Sequence, residues 1–224
     1  MLSNSMKNKR EQDIAEWAKK HLNEEVTVKK ELHGDRSDVF KIYTQDATYF
    51  LKVGADLEKE KMRLEWLQGK LPVPKIIVFE KMGAKEALLL SEIKGKNLKV
   101  LSKEWAPEKV VTMLAEALKT FHSVPSENWF LEGETEEILI HGDASLPNFI
   151  FDKEEFSGYI DLGDVNLGNK ETDFAAAIWS LQYNLGDGYG KSFLEKYGEE
   201  NNDEVRVEEL RMKYEDMQRE WGLL

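Results

Sequence analysis

His141-Gly142-Asp143-Ala144-Ser145-Leu146-Pro147-Asn148 lies between the apolar triplet Ile138-Leu139-Ile140 and the strand-like run Phe149-Ile150-Phe151. It carries an aspartate five positions before an asparagine, which places two oxygen-bearing side chains on opposite limbs of one turn. Asp143 can accept or orient the proton of an attacking hydroxyl, and Asn148 can offer its amide oxygen to a hard cation. Asp161 follows after the strand Phe149 to Phe151, a polar turn at Lys153 to Glu155 and a second strand, Gly158 to Ile160. A β-hairpin of that length returns the Asp161 carboxylate to the side of Asn148. Taken singly, Asp143 and Asn148 read as turn residues and Asp161 as a polar strand end. Framed by apolar strands, the three read as a set.

An Asp and an Asn at this spacing, with a second Asp one hairpin later, are the parts of a kinase catalytic loop and its metal-binding segment. His141 reads as a brace for that loop through a hydrogen bond, and His122, at the end of a helix, as structural. A second group lies upstream. Lys52 sits on a strand with Leu51 and Val53 directed to the opposite face. The apolar positions Leu57, Leu64, Leu67 and Leu71 predict a helix over Leu57 to Leu71, with Glu60 on the same face. A carboxylate on an apolar face needs a partner, and Lys52 is the natural one; the alternative is a surface lysine with Glu58 exposed nearby. The polar turn His33-Gly34-Asp35-Arg36-Ser37-Asp38 either covers nucleotide phosphates with backbone N–H groups and Ser37 or is a plain hairpin turn.

Around these groups the pattern gives a helix over Glu11 to Leu22 and strands over Val26 to Lys30, Val39 to Tyr43 and Thr48 to Val53. Two more strands, Lys75 to Glu80 and Ala87 to Glu92, follow Pro72 and Pro74, which are read as the helix stop. A core helix then opens at Pro107 with Val110, Leu114, Leu118 and Phe121 on one face. Two or three helices close the chain, the last with Val207, Leu210, Tyr214, Met217 and Trp221 as a packing stripe.

With 224 residues, 41% of them hydrophobic and 10% aromatic, the chain can bury a real core. It has no cysteine, so disulfides, thiolate metal sites and cysteine nucleophiles are excluded. The net charge of −12 disfavours a nucleic-acid partner and suits a cationic ligand, although acidity also serves solubility alone. No apolar run has membrane-spanning length and the first residues lack a secretory signal, so a cytoplasmic location is expected.

The same residues resemble the aminoglycoside phosphotransferase family, most closely its 3'-phosphotransferase type. His141 to Asn148 is similar to that family's catalytic loop, and Gly158-Tyr159-Ile160-Asp161-Leu162-Gly163 followed by Asp173-Phe174-Ala175 is similar to its metal-binding segment. Trp66 to Lys75 and Leu89-Leu90-Ser91-Glu92 resemble the stretch before the interlobe hinge. The resemblance covers the chain from about Ser37 onward. It implies that Ser91 and Ile93 touch the nucleotide base, that Lys52 and Glu60 form the phosphate-binding pair, and that Asp173 is a buried brace for the loop. Two departures concern the acceptor. The helices that the family inserts after Phe121-His122-Ser123 are replaced by a short connection, Val124 to Glu137, and Asn169 stands where the 3'-type carries an aspartate. Glu220 and the Leu224 carboxylate are the remaining candidates for binding a cationic acceptor.

The expectation is therefore an α+β, bilobal protein-kinase-like fold with a small antiparallel-sheet N-lobe, residues 1–93, that binds nucleotide. A mainly helical C-lobe, residues 94–224, would hold the catalytic loop and the acceptor. The implied reaction is phosphorylation of a hydroxyl on an aminoglycoside or similar small cation, with Mg²⁺ as cofactor and ATP or GTP as donor. The alternatives are a kinase of another small amine or alcohol, and a nucleotide-binding protein with little transfer activity. The expected partners are nucleotide and small molecule, with no nucleic acid, membrane or obligate protein partner.

Overall fold

A computed structural model describes residues 4–33, 37–129 and 138–220. The chain divides into two units, Met1–Gln68 with Pro74–Glu92, and Gly69–Val73 with Ile93–Leu224.

In the first unit, α1 (Asn4–Leu22) precedes β1 (Thr27–His33), β2 (Ser37–Tyr43) and β3 (Thr48–Gly54); α2 (Leu57–Leu67), β4 (Ile76–Met82) and β5 (Lys85–Ser91) follow. The strands pair antiparallel in the order β1-β2-β3-β5-β4. Phe40, Ile42, Leu51, Val53, Ala87 and Leu89 form one inner face with Ile14 and Ala18 of α1. The period of two sends Lys52, Leu88 and Leu90 to the other face, where α2 packs with Leu57, Glu60, Leu64 and Leu67 buried. β5 is covered on both faces, which is why Ala87 to Leu90 read as an unbroken apolar run.

Two expected boundaries move. α1 begins at Asn4, not Glu11. Its polar first turns show no apolar period; Arg10 is fixed instead by an ion pair to buried Asp38, which also accepts from Lys30 Nζ at 2.7 Å. α2 stops at Leu67, short of the expected Leu71. Gln68 turns extended (φ −53°, ψ 129°) and Gly69 adopts φ 78°, a left-handed conformation open to glycine, so the chain reverses before either proline. Leu71 is still buried, in the irregular segment before β4 rather than on the helix.

The second unit contains β6 (Lys96–Asn97), α3 (Leu98–Leu101), α4 (Pro107–His122), β7 (Ile138–Ile140), β8 (Phe149–Asp152), β9 (Glu155–Tyr159), β10 (Asn166–Gly168), α5 (Glu171–Leu185), α6 (Tyr189–Tyr197) and α7 (Glu204–Glu220). β6, β8 and β9 form one small sheet, and β7 pairs with β10. α4 starts with Pro107 in its first turn and buries Val110, Leu114, Leu118 and Phe121 as the sequence spacing requires. Burial of four such side chains contributes about 1.5–3 kcal/mol each. Around them Phe121, His141, Phe149 and Tyr159 make an aromatic core, in which the fully buried Tyr159 donates its hydroxyl to Ala117 O at 2.7 Å. Three helices close the chain. In α7 Leu210 and Tyr214 are buried and Val207 and Met217 half-buried; Trp221 lies outside the described residues. Among the described residues no helix is long and apolar enough to cross a membrane.

Candidate active site

The loop between β7 and β8 carries Asp143, Ser145 and Asn148. It closes in a 3₁₀ turn, Leu146–Asn148, where Asn148 N–H donates to Ser145 O at 3.0 Å. Asn148 is 5% exposed, and its Nδ2 donates to Asp143 O and to Asp143 Oδ2, both at 2.9 Å, and to Ser145 Oγ at 3.3 Å. A backbone carbonyl can only accept, so the amide nitrogen must face Asp143 and the amide oxygen the other way. One side chain thus holds the candidate base and presents an oxygen donor.

Asp161 reaches the same place through the β8–β9 hairpin. Ile160 N–H donates to Asn148 O at 3.0 Å, and Ile160 O accepts from His141 Nε2 at 3.1 Å. With both backbone groups of Ile160 engaged, Asp161 is held in a left-handed conformation, φ 59° and ψ 58°. Such a conformation in a residue with a Cβ costs about 1 kcal/mol and is typical of functional turns. His141 is fully buried and stacks on Phe149; its Nδ1 accepts Asp143 N–H at 3.4 Å, so the ring braces both limbs of the site.

Beneath the loop, the fully buried Asp173 of α5 accepts from His141 N at 2.7 Å and from Gly142 N at 2.8 Å. Its Oδ2 also meets His122 Nε2 at 2.9 Å, and His122 Nδ1 meets the Tyr197 hydroxyl at 2.8 Å. Three charge-assisted hydrogen bonds compensate the burial of this carboxylate. Gly142 adopts φ 84°, and a Cβ there would lie 2.5 Å from Asp164 O, so only glycine fits between Asp173 and the following turn. Leu146 N–H is held separately by Ser180 Oγ at 3.0 Å.

Burial raises the Asp143 carboxyl above its ordinary value, and the charge of Asp161 adds to the rise; His141, Ser145 and Asn148 act in the opposite direction. A carboxylate of increased basicity beside an exposed second carboxylate suits acceptance of a hydroxyl proton.

In the first unit, Lys52 Nζ lies 2.7 Å from Glu60 Oε1, their side chains 13% and 6% exposed. Glu58, the exposed alternative, pairs with Lys81 at 2.7 Å. Ser37 and Ser91 pair with Gly54 and Tyr49 at opposite ends of β3, about 17 Å apart at ~3.3 Å per residue, with Lys52 between them. Ser91 Oγ accepts from Lys75 N at 2.9 Å. Ile93, in the second unit, packs against Gly158. Glu220 is exposed at the end of α7; Leu224, residues 34–36 of the expected phosphate turn and residues 130–137 of the short connection lie outside the described residues.

Two polar groups escaped the sequence pattern. Nothing in the primary pattern joins His122 to Asp173, although a histidine on the apolar face of α4 demands a partner. The Arg10–Asp38–Lys30 group also went unread; the alternation of β2, which turns Asp38 inward with Phe40 and Ile42, is the signal that finds it.

A loop of this kind set against a helix aspartate, in an α+β chain, is that of a kinase-like phosphotransferase. Solved structures show the same fold. An aminoglycoside-3'-phosphotransferase of type VIII superposes with a TM-score of 0.69 at 19% identity, over 89% of this chain and 96% of that one. An aminoglycoside phosphotransferase from Streptomyces rimosus, solved with ADP and streptomycin, has a TM-score of 0.63 at 20% identity, over 77% of this chain and 87% of that one. A family model described as "Phosphotransferase enzyme family" matches residues 129–210. The aminoglycoside 3'-phosphotransferase of Niallia circulans is 30% identical over 208 residues, covering 70% of this chain and 79% of the relative. The chain belongs to the aminoglycoside phosphotransferase family and is a kinase that transfers phosphate to a hydroxyl group.

Proposed function

We propose that the chain transfers the γ-phosphate of ATP or GTP to a hydroxyl of an aminoglycoside or similar small cationic substrate, in the cytoplasm where the donor nucleotide is found. Residues 1–93 would bind nucleotide, and residues 94–224 would carry catalysis and the acceptor. The observation that carries this reading is Asp143, fixed by Asn148 Nδ2 at 2.9 Å on the loop between β7 and β8, with the Asp161 carboxylate near enough to raise its basicity.

Asp143 aligns the acceptor hydroxyl and takes up its proton as the oxygen attacks phosphorus in line; its burial and raised basicity favour that role. Lys52, oriented by Glu60, binds phosphate oxygens, with Ser37 of β2, opposite Gly54 at the end of β3, also serving the phosphates and Ser91 and Ile93 serving the base. The outward oxygen of Asn148 and the Asp161 carboxylate would hold Mg²⁺. Among the described residues no three His, Cys, Asp or Glu side chains gather as a metal cluster. An amide and a carboxylate nevertheless fit a cation that keeps most of its shell for phosphate and water. When bound, Mg²⁺ supplies charge neutralisation on the phosphate oxygens. His141 and Asp173 keep the loop in place, and Glu220 and Leu224 remain the C-terminal candidates for acceptor contact. A net charge of −12 attracts a polycationic acceptor.

The names of the relatives and the ADP–streptomycin complex of a neighbour support the same acceptor class. The test is phosphoryl transfer from ATP or GTP with Mg²⁺ to kanamycin, read by mass spectrometry. A phosphorylated product is expected. Turnover confined to choline-like amines or amino alcohols in a parallel screen would contradict the acceptor class.

A further inference from the structure

Trp179 and Tyr183 stand one turn apart on α5 and stack with ring centroids 5.4 Å apart and planes 13° from parallel. Tyr183 is 70% exposed, so most of an aromatic ring is offered to solvent in a fixed orientation. Beneath the pair, Trp179 meets Tyr214 of α7 at 5.1 Å, and Tyr214 is buried against Ala175 and Ala176. Three rings therefore step from the core to the surface.

The inner step adjoins the catalytic loop. α5 holds that loop at Asp173, which binds His141 and Gly142, and at Ser180, which binds Leu146. Positions 173, 176 and 180 fall on one helical face, so Asp143, between Gly142 and Leu146, lies over the turn of Ala176 on which Tyr214 packs. The hydroxyl of Tyr214 is pushed up to about 12, by burial first and by the charge of Asp143 second. Tyr183 lies three residues past Ser180, about 4.5 Å further along the helix. Only fifteen residues separate α4 from β7.

We infer that the Trp179–Tyr183 stack is the acceptor platform of this enzyme, a ring face on which a cationic amino sugar lies while one of its hydroxyls reaches Asp143. This rests on the aminoglycoside reading given above. Ring faces attract ammonium groups and the apolar faces of sugar rings together, and the chain's net charge of −12 favours the same ligand. A stack that served only to stabilise α5 would leave ligand affinity indifferent to Tyr183, because the outermost ring buries little.

Calorimetric titration of kanamycin into the full chain with ADP and Mg²⁺ tests the platform directly. Tyr183→Ala is expected to raise the kanamycin Kd at least tenfold while the ADP Kd stays within twofold, and Tyr183→Phe is expected to stay within threefold of the parent. Kanamycin binding within twofold of the parent in Tyr183→Ala, or no binding to the parent at all, overturns the inference. A parallel transfer assay judges the reaction separately. Binding that depends on Tyr183 without any transfer would sink the aminoglycoside-kinase reading and leave the platform standing; transfer with an unchanged acceptor KM in Tyr183→Ala would do the reverse.

Discussion

Asn148 Nδ2 holds Asp143 twice, at the carboxylate and at the backbone carbonyl, each at 2.9 Å. The same amide is thus the positioner of the base and, through its oxygen, a candidate cation ligand. Asn148→Ala removes both roles, and kcat should fall at least a hundredfold, with a higher Mg²⁺ requirement, in a steady-state assay. A variant with the parent kcat and the parent Mg²⁺ dependence would contradict the arrangement.

Asp173 is fully buried and accepts from His141 N, Gly142 N and His122 Nε2. Asp173→Ala leaves three donors, two of them buried, without that acceptor, for a loss of about 3–5 kcal/mol in urea unfolding. His122→Gln, which retains a donor at similar reach, should lose much less. Equal losses in the two variants would mean that Asp173 does not brace the loop.

Lys52 and Glu60 should act on nucleotide and not on the acceptor. Lys52→Met is expected to raise the nucleotide KM tenfold or more and to lower kcat, with the acceptor KM within twofold. Two-substrate kinetics separates the cases; a change confined to acceptor KM would remove Lys52 from the nucleotide site.

Alkaline stability follows from two tyrosines withdrawn from solvent, Tyr214 buried and Tyr197 half-buried. Tyr214 and Tyr197 are each pushed up to about 12, burial being the main cause in both. A folded-state value above the ordinary 10 means that the unfolded chain releases the proton first. The stabilisation is complete below pH 10 and is lost as pH rises from 10 to 12. Urea midpoints at pH 8 and pH 11 should therefore draw the parent down relative to Tyr214→Phe, and a constant difference between them would contradict the assignment.

How far the chain could be read depended on the range of each interaction. Asp143, Asn148 and Asp161 are linked by one turn and one hairpin, so spacing and alternation alone placed them. Lys52 and Glu60 were legible because two local periods, of strand and helix, turned both toward the same layer. Asp173 entered only by resemblance, since its partners His122 and His141 lie 51 and 32 positions away. α2 was drawn too long because Leu71 kept the helical period after Gly69 had already reversed the chain. β6, α3 and β10 are two to four residues long, too short for any period to register. The Tyr183–Trp179–Tyr214 ladder joins two helices, and only packing reveals it.

The central claim, that Asp143 takes the proton of the acceptor hydroxyl, is tested most directly by single-turnover phosphoryl transfer with Asp143→Asn. The isosteric amide keeps the bond pattern of the loop but cannot accept a proton. Transfer should slow at least a thousandfold with nucleotide Kd within threefold of the parent. Transfer at the parent rate in that variant would contradict the account.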